Sequence, residues 1–209
     1  MNIIAKQLER SNVVFAFREG AIQPPEPSRI FSLYGGDASK GSLFSDNPAM
    51  STRVFEFPAL GLMWIFEGSR VRVEDKRFRS PQDSKLPQEM LRVLKALYPN
   101  VAPIAQGFNY DILYRMDIVI PVADIMGSFL RKEAVENIAD FGWQYTLTKE
   151  KGKRAETYFF KVVSPIEFSV HANYHFNNIG TVEERDLQKS FEHSYREVDK
   201  ALDHIAFKS

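Results

Sequence analysis

The chain has 209 residues, of which 44% are hydrophobic and 13% aromatic, and its 27 Lys and Arg balance 27 Asp and Glu. Those values suit a packed globule with a sizeable core, exclude low-complexity disorder, and leave no global field pulling toward nucleic acid or anionic lipid. The lack of cysteine excludes disulfides, thiolate nucleophiles and cysteine-held zinc or iron–sulfur sites.

No signal-peptide core and no apolar run near the roughly 20 residues of a membrane helix appears, so a soluble cytoplasmic protein is expected. Residues 11–18 set Val13, Phe15 and Phe17 against Val14, Ala16 and Arg18, the alternation of a strand. Pro24, Pro25 and Pro27 then oppose helix and interior strand. Residues 30–34 read as one short strand inside an irregular segment spanning 23–52, with a Gly-, Ser- and Asp-rich surface loop over 35–47.

Pro58-Ala59 separates the extended run 54–57 from 60–66, and Gly68-Ser69 turns the chain into 70–73. A two-residue hairpin with positive φ at Gly68 fits this spacing, and it places Glu67 opposite Arg70 as a cross-strand ion pair. Residues 86–98 carry Met90, Leu91, Val93, Leu94, Leu97 and Tyr98 at helical spacing. Pro87 suits the first turn and Pro99-Asn100 the stop.

In the second half, Phe108, Tyr110, Ile112 and Tyr114 alternate with Asn109, Asp111 and Arg115. Residues 121–130 place Val122, Ile125, Met126 and Phe129 at helical spacing, with a further turn expected around Val135 and Ile138. Trp143, Tyr145 and Leu147 alternate again, and Lys151-Gly152-Lys153 turns into 155–163. Residues 166–177 alternate most cleanly: Phe168, Val170, Ala172, Tyr174 and Phe176 against Glu167, Ser169, His171, Asn173, His175 and Asn177. Thr181 and Glu184 form a capping box before a long helix striped by Leu187, Phe191, Tyr195, Val198, Leu202 and Ile205.

Each half therefore runs as a lone strand, an insert, a three-stranded antiparallel meander and a helix. The expected fold is α+β: a single globule of two pseudo-repeated halves, about 1–100 and 101–209, with antiparallel sheets packed on helices. The doubled pattern resembles, in topology only, pseudo-symmetric saddle-like α+β folds that bind other macromolecules.

Chemistry is less legible. His171 and His175 share a strand face but stand about 13 Å apart at roughly 3.3 Å per residue, too far to chelate one ion unaided. His193 and His204 point away from the helix stripe. No nucleophile elbow, dinucleotide fingerprint, metalloprotease or calcium-loop motif is present, and the segment 36–42 lacks the lysine placement and flanking elements of a phosphate loop. No cofactor and no metal is expected.

If the lone strand at 108–116 pairs with the third strand of its meander, Asn109, Asp111 and Arg115 border His171, Asn173 and His175 in a polar sheet face suited to a small ligand or protein partner. The leading expectation is non-catalytic binding through that face. The alternative is a metal-free hydrolase or transferase using His171 or His175 as general base near Asp111. A third reading places an anion or nucleic acid on Arg70, Arg72, Lys76 and Arg77 of the hairpin and its 76–85 loop, against the bland role of charged strands in preventing edge pairing. The run 60–66 has two apolar faces, which calls for cover by residues 30–44 or by a second copy in a homodimer.

Overall fold

The computed structural model describes residues 2–35, 40–127, 141–177, 179–180 and 182–202. The first half supplies β1 (Ile3–Ala16), α1 (Pro27–Leu33), β2 (Leu43–Asn47), β3 (Thr52–Phe57), β4 (Leu62–Glu67), β5 (Arg70–Asp75) and α2 (Leu86–Leu97). The second supplies β6 (Ala105–Met116), α3 (Val122–Gly127), β7 (Gly142–Lys149), β8 (Arg154–Ser164), β9 (Glu167–Asn177) and α4 (Glu184–Leu202).

The nine strands join as one antiparallel sheet in the order β2-β3-β4-β5-β1-β6-β9-β8-β7, instead of one sheet per half. Each lone strand pairs with the third strand of its meander, β1 with β5 and β6 with β9, and β1 pairs with β6 at the centre. The chain is mixed α+β, and no helix among the described residues is long and apolar enough to cross a membrane.

Strand alternation decides which face is buried. Val13 and Phe15 stand level with Val73 and Val71 on β5, and Phe108 lies opposite Val13 on β6. All five are fully buried, and Tyr110, Val170, Ala172 and Tyr174 continue the same face. Two amphipathic helices cover it: α2 buries Met90, Val93, Leu94 and Leu97, and α4 buries Leu187, Phe191 and Val198. The Tyr110 hydroxyl donates to the Phe191 carbonyl at 2.6 Å, and that of Tyr114 to Asp199 at 2.8 Å, so the aromatic layer also anchors α4 through its polar tips.

Several elements differ from expectation. Strand β1 begins at Ile3, because bulges between Ile3 and Ala5 and between Leu8 and Arg10 break the alternation that marks a strand. Residues 30–33 lie in helix α1, with Tyr34 as its C-cap, and not in a strand: Pro27 occupies the first turn, where a missing N–H costs nothing, and Ile30 is buried. Within 23–52, residues Leu43–Asn47 form an exposed edge strand on β3.

The hairpin turn has Gly68 at φ +53°, and Glu67 lies opposite Arg70 as its register requires. The ion pair, however, runs diagonally from Glu67 to Arg72 at 3.3 Å. Ile65, between Val54 and Arg72, is only 6% exposed, so that face of β4 is largely covered within the chain. Helix α1 covers the opposite face: Phe31 packs on Phe55 and Phe57, and Trp64 Nε1 donates to the Tyr34 hydroxyl at 2.9 Å. Phe129, Val135, Ile138, Thr181, His204, Ile205 and residues 36–39 lie outside the described residues.

Phe191 meets the rings of Phe108 and Tyr110 at centroid distances of 5.6 and 5.3 Å. Phe191→Ala is expected to destabilise the protein by about 3–5 kcal/mol in urea denaturation. A loss below about 1 kcal/mol would contradict the docking of α4.

Candidate functional site

Burying one face of the central strands in helices displays their other face. On β1, β6 and β9 the register sets Asn12 opposite Asn109 and Asn109 opposite Asn173. Side-chain amides directly opposed on neighbouring strands are within bonding reach. Asn173 Nδ2 donates to Asn109 Oδ1 at 2.5 Å, and Asn109 Nδ2 donates to Asn12 Oδ1 at 2.7 Å. The chain of amides has one direction, ending in a donor at Asn12 and an acceptor at Asn173. Asn12 is only 2% exposed, which makes this a built-in polar array and not a set of solvated surface amides.

One row further along the strands, Arg10, Asp111 and His171 stand opposite one another. Arg10 Nε donates to Asp111 Oδ2 and His171 Nδ1 meets Asp111 Oδ1, each at 2.5 Å. A carboxylate only accepts, so Nδ1 is the donor and Nε2 is left as the ring nitrogen not engaged by Asp111. Partial burial pushes the Asp111 carboxyl up, but the His171 hydrogen bond and the Arg10 charge together hold it below the ordinary carboxylate value.

These rows border a concavity of about 390 Å³. Its floor is a strip of small residues, Val14 and Ala16 from β1 and Ala105 and Gly107 from β6. A Cβ at Gly107 would stand 3.1 Å from the Tyr174 carbonyl oxygen, so the floor is low there for a steric reason. Arg70 and Arg72 of β5 line one side, and Asn173 and His175 of β9 the other. Among the described residues lining it there is no Ser, Thr, Lys or Tyr to act as a nucleophile. Nor do three His, Asp or Glu converge on a metal-binding point among the described residues.

The candidate residues divide accordingly. Asn109, His171, Asn173 and His175 line the concavity, with His175 Nε2 donating to Asn177 Oδ1 at 2.8 Å, and Asp111 supports His171 from beside it. Arg115 lies two rows beyond Asp111 and pairs with Glu167 at 2.7 Å, away from the histidines.

In the basic hairpin, Arg72 pairs with Glu67 and sits 3.6 Å from Glu74, and Lys76 sits 3.7 Å from Glu74. Arg77 donates to the Ala59 carbonyl, and Arg79 to Asp75 at 2.7 Å. Arg72, Lys76 and Arg79 thus have carboxylate neighbours, whereas the Arg70 side chain has no ion-pair or hydrogen-bond partner among the described residues. Asn12, Arg10 and Gly107 are the site residues that sequence patterning overlooks. Asn12 merely ends the polar run Glu9-Arg10-Ser11-Asn12 ahead of Val13, which gives no local signal of a site. The chain matches no protein-family model, and no curated protein is recognisably related to it.

The low Asp111 value has a signed consequence. A carboxyl depressed in the folded state adds stability that is fully present above its unfolded value near 3.9 and fades as pH falls through the lower folded value. Asp111→Asn is therefore expected to cost stability at about pH 5 and progressively less toward about pH 2, as followed by urea midpoints. A gap that stays constant over that range would show that the carboxylate is not held by its partners.

Proposed function

We propose that the protein is a non-catalytic binding protein whose ligand occupies the concavity on the sheet face away from α2 and α4. The observation that carries this reading is the directional chain Asn173–Asn109–Asn12 running along a concave wall, with an uncapped acceptor at one end and a donor at the other. Amide arrays of this kind suit a small molecule that bonds both ways, and the low floor leaves room for its body. The matching outward order of the two halves, β1-β5-β4-β3 and β6-β9-β8-β7, supports reading them as pseudo-repeats with the site at their junction.

Native mass spectrometry of freshly purified protein is expected to reveal a non-covalent adduct. Asn109→Leu, which removes the middle of the chain of amides, should abolish it while circular dichroism stays unchanged. Asn173→Ala, at the half-exposed end, should weaken it with less effect on folding. An adduct untouched by both changes would place the ligand elsewhere.

One observation favours a second reading. The Asp111–His171 pair presents Nε2 as a general base on the same concavity, and such a base could activate water in a metal-free hydrolase. That reading requires turnover that His171→Ala eliminates while binding persists. Binding with no turnover on ester or amide substrates decides for the first.

A homodimer is a separate proposal. With Ile65 covered, it now rests on edge strand β2, where Leu43 and Phe44 are exposed. Light scattering at low micromolar concentration should give the mass of two chains. The mass of one chain would remove the proposal.

A further inference from the structure

Resting on the binding reading above, we infer that the ligand is an elongated organic monoanion: its charge sits at Arg70, and a group that both donates and accepts hydrogen bonds sits against the asparagines. Positive charge in the concavity is only partly balanced. Of the charged side chains lining it, Arg10 is paired to Asp111 and Arg72 to Glu67. Arg70 alone has no partner among the described residues, although Glu67 stands opposite it in register. The diagonal Glu67–Arg72 pair takes the carboxylate that would otherwise neutralise Arg70. One fixed positive charge is therefore presented to whatever enters, and a guanidinium is well shaped to take a carboxylate or phosphate in bidentate fashion.

The register also sets a length. Arg70 lies level with Ala16, and Asn12 is four residues back along β1. At roughly 3.3 Å per residue the anion and the amides are about 13 Å apart along the strand direction. Between them the floor is Val14, Ala16, Ala105 and Gly107, small and apolar, with Arg72, already paired to Glu67, and His175 at its two sides. The site is thus polar at two ends, with an apolar floor between them. It fits a free acid with an extended body, or the last few residues of a peptide ending in a free carboxylate. A compact phosphate or a uniformly polar sugar would leave either the floor or one end unmatched.

The test is a titration of the full chain, followed by NMR, with N-acetyl-tetra-alanine, whose extended backbone spans about 13 Å. Its C-terminal carboxamide and N-acetyl-alanine are the charge and length controls. The acid should bind about tenfold more tightly than the carboxamide, and the short acid more weakly than the long one. Arg70→Gln should erase the preference for the acid, bringing its affinity down to about that of the carboxamide.

A linear dicarboxylic acid monoamide of the same length separates the two sources. Binding equal to the peptide's identifies a free organic acid as sufficient, and binding of the peptide alone identifies a chain terminus. Equal binding of acid and carboxamide, both lost in Asn109→Leu, would overturn the anion assignment while leaving the binding face standing. A preference for the acid that survives Arg70→Gln would overturn it too. Absence of saturable binding by both acids would overturn it, and a native adduct lost in Asn109→Leu would then still support the broader reading.

Discussion

The antiparallel pairing of β1 with β6 is the joint on which everything else in the molecule depends. It unites the two halves of the chain in one sheet, and its register decides both faces together. With Val13 opposite Phe108, the buried face gains a continuous apolar centre for α2 and α4. The same alignment necessarily sets Asn12 opposite Asn109 on the other side. A slip of one residue would exchange the faces, exposing Val13 and Phe15 and burying the amides. Stability and the polar array are thus two readings of one register.

The bulge between Leu8 and Arg10 extends that logic toward the amino terminus. Skipping Glu9 lets Arg10 remain on the face of Asp111 while Leu8 turns inward opposite Ile112. Lys6 then faces α4, where its ammonium lies 2.7 Å from Asp199 and 4.0 Å from the centre of the Tyr195 ring. One strand therefore serves the site with one end and clamps the long helix with the other. On the helix-covered side of the second half, Glu156 is 1% exposed yet contacts Arg154 at 2.6 Å and Lys149 at 2.9 Å, and it accepts from Tyr158 at 3.1 Å. A buried carboxylate so surrounded adds geometric definition more than net stability.

How much of this was legible before the structure depends on how local the signal is. Strands with unbroken alternation, such as β9, and helices with full stripes, such as α2, declare themselves in a dozen residues. The adjacency of Asn109 with Asn173 followed from pairing a lone strand with its own meander, a short-range rule. Asn12 was invisible because its hydrogen-bond partner is 97 residues away and no local pattern announces which strands meet. Arg10 was hidden by the bulge, which scrambles the period of two at the point where the site begins. Helix α1 was masked by prolines that oppose helix interiors but suit the first turn, as Pro27 does. Arg115 shares a face with Asp111 yet is too far along the strand to share its site, a distance that face-sharing alone does not reveal.

The distance in sequence between β1 and β6 carries over to the way the chain is made. During synthesis β1 is complete at residue 16, whereas β6 is finished only at residue 116. Strand β5 is complete at residue 75, so at about 5–20 residues per second translation leaves roughly 2–8 seconds in which β1 can pair with β5 but not with its other neighbour. Through that interval the nascent half-sheet has an open edge along the strand destined for the centre of the molecule, with Val13 and Phe15 lacking half their cover. Closing it late joins contacts of very high sequence separation, the slowest kind to form. The strand at the centre of the finished sheet is, on the ribosome, its open edge.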